Sequence, residues 1–337
     1  MPGPRSAHAA PDPLAVSPLS TALTEAPILA HVVRSGIVES VHRGTVVVTA
    51  PDGSLDWALG DPSGSVLARS SNKPLQAAAM VRLGLDLPHE QLALACASHS
   101  GEPFHLEAAR GILAGAGLSE ADLQNTPDYP IDEDEREAWV RASRPKASIA
   151  QNCSGKHAGM LATCAVTGWD TATYRDPEHP LQRHITETVA ELSGEPVTGL
   201  AVDGCGAPLH AYALIGLARA FGRVASASTG PESRVADAIR AQPLYLGGTQ
   251  RQVTMLVREA PGLVAKDGAE SVYAVGLADG RGVAVKVADG FPRAAPVVLA
   301  AVLSRLGVQA PTALAELAYA PVLGHGDEIG AVVAVGF

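Results

Sequence analysis

Two blocks of β-type sequence stand near opposite ends of this chain, separated by a long stretch with helical spacing, and that arrangement restricts the fold more than any other feature. From His31 to Asp61 the residues read as three β segments, β-branched and partly alternating, with Pro51-Asp52-Gly53 as the turn between the second and third. After Gln252, VTMLV, GLVAKDG and SVYAVGLADGRGVAVKVADG alternate as further β segments around an Asp279-Gly280 turn, and AVVAVGF is the last β signal. Between the blocks, apolar spacing predicts helices from Pro74 to Gly84, Pro103 to Gly115, just after Lys156 to Thr167, Leu181 to Leu192 and Pro208 to Phe221. Strands at both ends enclosing helices predict an α+β fold. One antiparallel sheet is built from the N- and C-terminal parts, helices pack on its faces, and residues of about 74–240 form a mainly helical region. Residues 1–28, rich in Pro, Ala and Ser, read as a tail, and residues 29–337 as a single domain.

Composition narrows the function classes. The chain has 337 residues, 47% hydrophobic and 18% charged, enough to bury a full core without disulfides or metal. A formal net charge of −10 leaves no electrostatic footprint for a phosphate backbone or an anionic lipid surface, so neither nucleic acid nor membrane is an expected partner. Four cysteines, Cys96, Cys153, Cys164 and Cys205, lie too far apart for a secreted disulfide scaffold. The opening residues lack the apolar core of a secretory leader, and a cytoplasmic location is the expectation.

Only five lysines (Lys73, Lys146, Lys156, Lys266, Lys286) stand against twenty arginines. Arg stays protonated in a protein whereas a buried Lys can lose its proton, so a site that needs a neutral amine must keep Lys. Arg69-Ser70-Ser71-Asn72-Lys73 contains Ser-x-x-Lys before an apolar helix. Positions i and i+3 share a helix face, which would bring the amine to the hydroxyl, while the helix N-terminus disfavours the ammonium. The plain alternative is a Ser N-cap with a solvated Lys, and Pro74 biases Lys73 away from helical angles. A short apolar strand, Leu263 to Ala265, runs into Lys266-Asp267-Gly268. Serine β-lactamases combine Ser-x-x-Lys with Lys-Thr-Gly on an edge strand in this order, but Asp267 replaces the Thr and puts a negative charge where a β-lactam carboxylate would be gripped.

Two further constellations follow. Gln151 to Met160 gathers Cys153, Lys156 and His157 ahead of an apolar helix, and Val202 to Pro208 places Asp203 and Cys205 at a strand-to-loop corner. On spacing alone, Cys153 and Cys205 read as core cysteines.

Together RSSNKPLQ, CASHSGEP, NCSGKHAGML, DGCGAP and VAKDGAE resemble, in order, the motifs of the rhizobial-type (class 3) L-asparaginases, the asparaginase II family, from about residue 30 onward. The resemblance implies a serine β-lactamase-like fold, hydrolysis of L-asparagine to aspartate and ammonia, a homodimer, and one zinc ion beside the pocket. Residue by residue it implies Ser70 with Lys73 and Ser98 with Lys266 as two Ser–Lys pairs, Lys286 being the weaker partner for Ser98. It makes Arg69, His157 and Asp203 substrate-binding residues, and Cys153, Lys156 and Cys205 the zinc ligands. Cys96 and Cys164 match no ligand position and are expected in packing. Ser271 departs from the family pattern, which has Gly there. Other readings of the same residues are a different serine-dependent amide hydrolase, such as a glutaminase, or a catalytically silent amino-acid binder.

Overall fold

A computed structural model describes residues 23–337. Its strands are β1 (Ile28–Arg34), β2 (Ile37–Thr49), β3 (Leu55–Leu59), β4 (Ser65–Leu67), β5 (Gly199–Val202), β6 (Pro208–Ala213), β7 (Val264–Gly268), β8 (Val272–Gly276), β9 (Gly282–Val287), β10 (Pro321–Gly324) and β11 (Asp327–Ala334). Its helices are α1 (Lys73–Arg82), α2 (His89–Ala95), α3 (Pro103–Gly115), α4 (Glu133–Arg141), α5 (Ser154–Thr167), α6 (Pro180–Ser193), α7 (Leu214–Ser226), α8 (Gly230–Ala241), α9 (Pro243–Leu246), α10 (Gln252–Glu259), α11 (Ala294–Arg305) and α12 (Pro311–Ala318). Of the tail expected over residues 1–28, residues 1–22 lie outside the described residues, and the first strand begins at Ile28, three residues before the β segments read from His31.

The two ends of the chain meet in one eight-stranded antiparallel sheet, ordered β10-β11-β1-β2-β9-β8-β7, with β3 hydrogen-bonded to β2. The pairing of β1 with β11, Val32 opposite Val332, ties the N-terminal meander to the C-terminal hairpin. All residues of β8 and β9 are buried, which requires cover on both faces; α7 and α11 supply it. The approach of α7 is close. A Cβ on Gly282 would lie 1.8 Å from the Ala218 carbonyl oxygen, so the β9 backbone meets the helix backbone with no room for a side chain. The α+β architecture read from the sequence is therefore the observed one.

The helical half packs against this sheet around α1, whose residues Lys73–Val81 are all buried. That burial draws Lys73 into the interior. A neighbouring helix, α6, shows how local signals set an element. His179 caps its first turn through a ring nitrogen that accepts from Leu181 N–H, Pro180 opens it, and Gly194 in left-handed conformation ends it. Its buried stripe, Leu181, Ile185, Val189 and Leu192, follows helical spacing, and each such side chain contributes ~1.5–3 kcal/mol by burial.

Two predicted elements change type. The helix expected from Pro208 to Phe221 is strand β6 followed by α7. PLHAYA is buried at every position because β6 is the centre of a small β4-β6-β5 sheet, and a continuous apolar run carries no period to separate strand from helix. The middle region is thus not purely helical. Conversely, VTMLV lies in α10, where Val253, Leu256 and Val257 are buried at spacings of three and four; its β-branched residues suggested a strand, and packing overrides them.

Candidate active site

Arg69–Asn72 forms a short 3₁₀ turn that leads straight into α1, and Lys73 has helical angles (φ −62°, ψ −37°) despite the bias of Pro74. Asn72 fixes the turn. Its side chain accepts from Tyr212 Oη at 2.8 Å and contacts His210 Nδ1 at 3.3 Å, both from β6. The edge strand β7 abuts the same turn, since a Cβ on Gly268 would lie 3.1 Å from Ser71 N and 3.4 Å from Ser70 N. Ser70 and Ser98 are both buried, and Lys73 and Lys266 are essentially inaccessible.

The hydrogen bonds cross the expected Ser–Lys pairs. Lys73 Nζ bonds Ser98 Oγ at 3.1 Å, Cys153 Sγ at 3.2 Å and the Ala97 carbonyl, and among the described residues no hydrogen bond joins it to Ser70. Lys266 Nζ donates to Asp267, to its carbonyl at 2.6 Å and its Oδ1 at 2.5 Å, and likewise makes no hydrogen bond to Ser98. The reason is length: a side chain that leaves α1 from its first residue reaches past its own turn to the loop after α2. Burial lowers the Lys266 ammonium to about pKa 8, aided by Lys73 and opposed by Asp267. Asp267 is held well below the carboxylate range by Lys266 and Arg251, against its burial. Lys286 donates to the Glu270 carbonyl and to the Val287 carbonyl at 2.8 Å, away from Ser98.

The expected substrate-binding residues frame this centre. Arg69, in left-handed backbone conformation (φ 50°), donates from Nε to Asp203 Oδ1 at 3.0 Å, and its Nη1 lies 3.8 Å from Glu270 Oε1. Burial works against the charge of Asp203, but Lys156 and Arg69 hold its pKa below the usual value. His157 is fully buried, and desolvation, then Lys156 and Lys73, push its pKa well below the ordinary range, so its ring is neutral. Tyr174 Oη accepts from Gln124 N at 3.2 Å and sits 2.6 Å from His157 Nδ1. A hydroxyl hydrogen given to Nδ1 leaves the ring hydrogen on Nε2, a buried atom that has no partner among the described residues.

Cys153, Cys205 and Ala207 form a small buried cluster of their own, and Lys156 Nζ lies 3.2 Å from Cys205 Sγ. Gly155 lets α5 bring these side chains in, because a Cβ there would meet the Leu94 carbonyl at 2.5 Å. The Cys153 thiol is depressed far below its ordinary pKa by a hydrogen bond from Cys205, with Lys73 and Lys156 adding to it against burial; the Cys205 thiol is raised correspondingly. The two thiols titrate as a pair, and the cations beside them favour the loss of one proton. Burial opposes the Lys156 ammonium, yet the two sulfurs and Asp203 raise its pKa. Among the described residues no three His, Cys, Asp or Glu side chains gather to hold a metal ion; the third donor beside this sulfur pair is an amine. Cys96 and Cys164 are packed in the main apolar core, where burial raises them to about 12 and about 11.

Several residues of the site carry no sequence signal. Arg251 donates from Nη1 to the Ser98 carbonyl at 3.2 Å and from Nη2 to Asp267 Oδ2 at 2.5 Å, yet it sits in a loop without a motif. Tyr174, His210 and Tyr212 are equally silent, since each acts across more than fifteen residues of chain.

A family model described as L-asparaginase II matches residues 30–334. The chain belongs to the L-asparaginase II family. That membership makes it an asparaginase-type amidohydrolase acting on a small molecule. No curated protein matches it. Similar solved structures include a β-lactamase (Mb2281c) from Mycobacterium bovis, 18% identical with a TM-score of 0.43, covering 78% of this chain and 94% of that one. Mglu in its glutamate form is 14% identical with a TM-score of 0.44, covering 86% and 67%. EstCE1, a hydrolase with promiscuous acyltransferase activity, is 11% identical with a TM-score of 0.40, covering 82% and 93%. At these scores the likenesses add nothing to the family assignment. Among the described residues no helix is long and apolar enough to cross a membrane.

Proposed function

We propose that this L-asparaginase II family member hydrolyses L-asparagine to L-aspartate and ammonia through a serine ester. The observation that carries the reading is the contact of Lys73 Nζ with Ser98 Oγ at 3.1 Å beside the opposed charges of Arg69 and Asp203. A free α-amino acid needs one cation for its carboxylate and one anion for its ammonium, and this pair provides both. Ser70, next in sequence to Arg69, supplies the attacking oxygen. Its proton passes by way of Ser98 Oγ to Lys73, the carboxamide carbon becomes tetrahedral, and ammonia leaves with a returned proton. Lys266, with its ammonium at about pKa 8, is deprotonated often enough near neutral pH to take a proton from the water that opens the β-aspartyl ester. His157 offers its spare Nε2–H to the bound substrate.

Zinc fits the donor set at Cys153, Cys205 and Lys156, because two sulfurs and one amine meet in a single buried cluster. Bound there, it would supply a positive charge that polarises the substrate carbonyl. Ligation requires loss of protons from thiol and ammonium, so affinity weakens as pH falls. Elemental analysis of protein purified without added metal is expected to find zinc, and an unchanged content in a Cys153→Ser/Cys205→Ser variant excludes these ligands. The homodimer implied by the family is read from the mass in solution.

The deciding experiment compares kcat/KM for asparagine and glutamine, with mass spectrometry of acid-quenched enzyme. Asparagine is expected to be preferred, since one methylene misplaces the reacting carbon by ~1 Å and that costs on the order of a hundredfold. Equal values for the two amides sink the asparaginase reading in favour of a broader amidase. An aspartyl adduct on the peptide holding Ser98 exchanges the roles of the two serines.

A further inference from the structure

One guanidinium joins the loop that carries Ser98 to the strand that carries Lys266. Arg251 stands at the N-cap of α10, at the end of a loop docked on residues 98–102. Ser100 N donates to the Gly247 carbonyl at 2.7 Å and Thr249 N to Glu102 Oε1 at 2.8 Å. From this anchored base the Arg251 fork spreads: Nη1 reaches the Ser98 carbonyl at 3.2 Å and Nη2 reaches Asp267 Oδ2. The other carboxylate oxygen, Oδ1, receives Lys266 Nζ. Both oxygens of Asp267 are therefore committed, one to each cation, and the side chain lies between them.

We propose that Arg251 is a positioning residue, holding Asp267 so that the Lys266 amine keeps a fixed place relative to Ser98. The inference rests on the asparaginase reading above. It also accounts for the Asp where serine β-lactamases carry a Thr: a hydroxyl has one oxygen and cannot take both a guanidinium and an amine in this way. The charges that face Lys266 are Asp267 on its own strand, Arg251 from the loop before α10 and Lys73 from α1, with the Cys96 thiol nearby. Arg251 and Lys73 disfavour the ammonium, while Asp267 favours it.

Arg251→Gln and Arg251→Lys test the proposal. Arg251→Gln removes both the bridge and its charge, and is expected to lower kcat about ten- to a hundredfold while KM for asparagine stays within about threefold. With one cation gone, the Lys266 ammonium is favoured, so the rise of kcat with pH moves to higher pH by roughly half a unit or more. Arg251→Lys keeps the charge and loses the fork; the pH limb is expected to return towards wild type while kcat remains low, because one ammonium cannot span both acceptors. A fall in kcat with an unmoved pH limb in Arg251→Gln, or full recovery of kcat by Lys, overturns the proposal. If the wild type releases no ammonia from asparagine, the functional reading fails instead. The bridge is then decided by NMR titration of lysine labelled with ¹³C at Cε, where only five lysines contribute: an identical Lys266 titration in wild type and Arg251→Gln refutes it.

Discussion

Lys156 and Lys266 are both buried amines within one site, yet their surroundings drive them apart. In the metal-free protein Lys156 faces two sulfurs and Asp203, and its positive charge is held against burial. Lys266 faces a single carboxylate that Arg251 already shares, with Lys73 adding repulsion, and burial prevails. Burial alone does not assign a role to a lysine. The number of negative groups that are not already committed to another cation decides whether it serves as a fixed charge or as a base.

The sharpest way to break this contrast is to remove each amine in turn. Lys266→Met is expected to lower kcat by ~10²–10⁴, the range of a lost acid–base group, with circular dichroism unchanged. A variant retaining more than a tenth of wild-type kcat rules out Lys266 as the base. Lys156→Met should act mainly on stability. It removes the cation that bonds Cys205 Sγ and faces Asp203, and a loss of ~3–5 kcal/mol in denaturant unfolding of metal-free protein is expected; unchanged stability would mean that Lys156 carries no charge in the fold.

A subtler test reads the same difference from pH. Lys266 titrates at about 8 in the folded protein and near the ordinary lysine value when unfolded. The penalty for burying it, on the order of 3 kcal/mol, is fully present below about pH 8 and fades as pH rises towards ~10.4. Lys156 has the opposite sign: its raised folded pKa stabilises below the unfolded value and that gain is lost as pH rises through the folded one. Urea midpoints between pH 8 and 10 should therefore fall more steeply with pH in Lys266→Met than in wild type, while Lys156→Met of metal-free protein runs parallel to wild type there, because its contribution changes only above the unfolded lysine value; a Lys266→Met curve parallel to wild type would show that the two environments do not differ. The smallest effect concerns the loop after the strand of Lys266. Ser271 has φ 56°, which glycine adopts freely, but its Oγ also donates to the Phe291 carbonyl at 2.9 Å. Ser271→Gly is expected to change stability by no more than ~1 kcal/mol, upward if strain exceeds the lost bond, as read from Tm.

What was legible in the sequence follows from range. The strands at both ends and most helices declare themselves through local periodicity, and the Ser-x-x-Lys and Lys-x-Gly segments lie within a few residues. The glycine missing at Ser271 was also visible, and the left-handed angle there explains it. The reach of Lys73 to Ser98 and Cys153 was not visible, because it depends on how the loop after α2 and the start of α5 pack on α1. Arg251 was hidden for the same reason. β6 and α10 were misread because five or six apolar residues have no unique period, and their neighbours decide.

Arg69, Glu270 and Ser271 all occupy left-handed backbone angles on the two segments that meet around the Arg69 guanidinium. Each is a conformation that non-glycine residues avoid by ~1 kcal/mol or more, and it persists because the packing on either side leaves no alternative. The guanidinium is thus mounted on a backbone without slack, like a stop on a gauge. On the asparagine reading proposed above, a ligand entering between Arg69 and the serines would meet a fixed interval rather than a yielding wall.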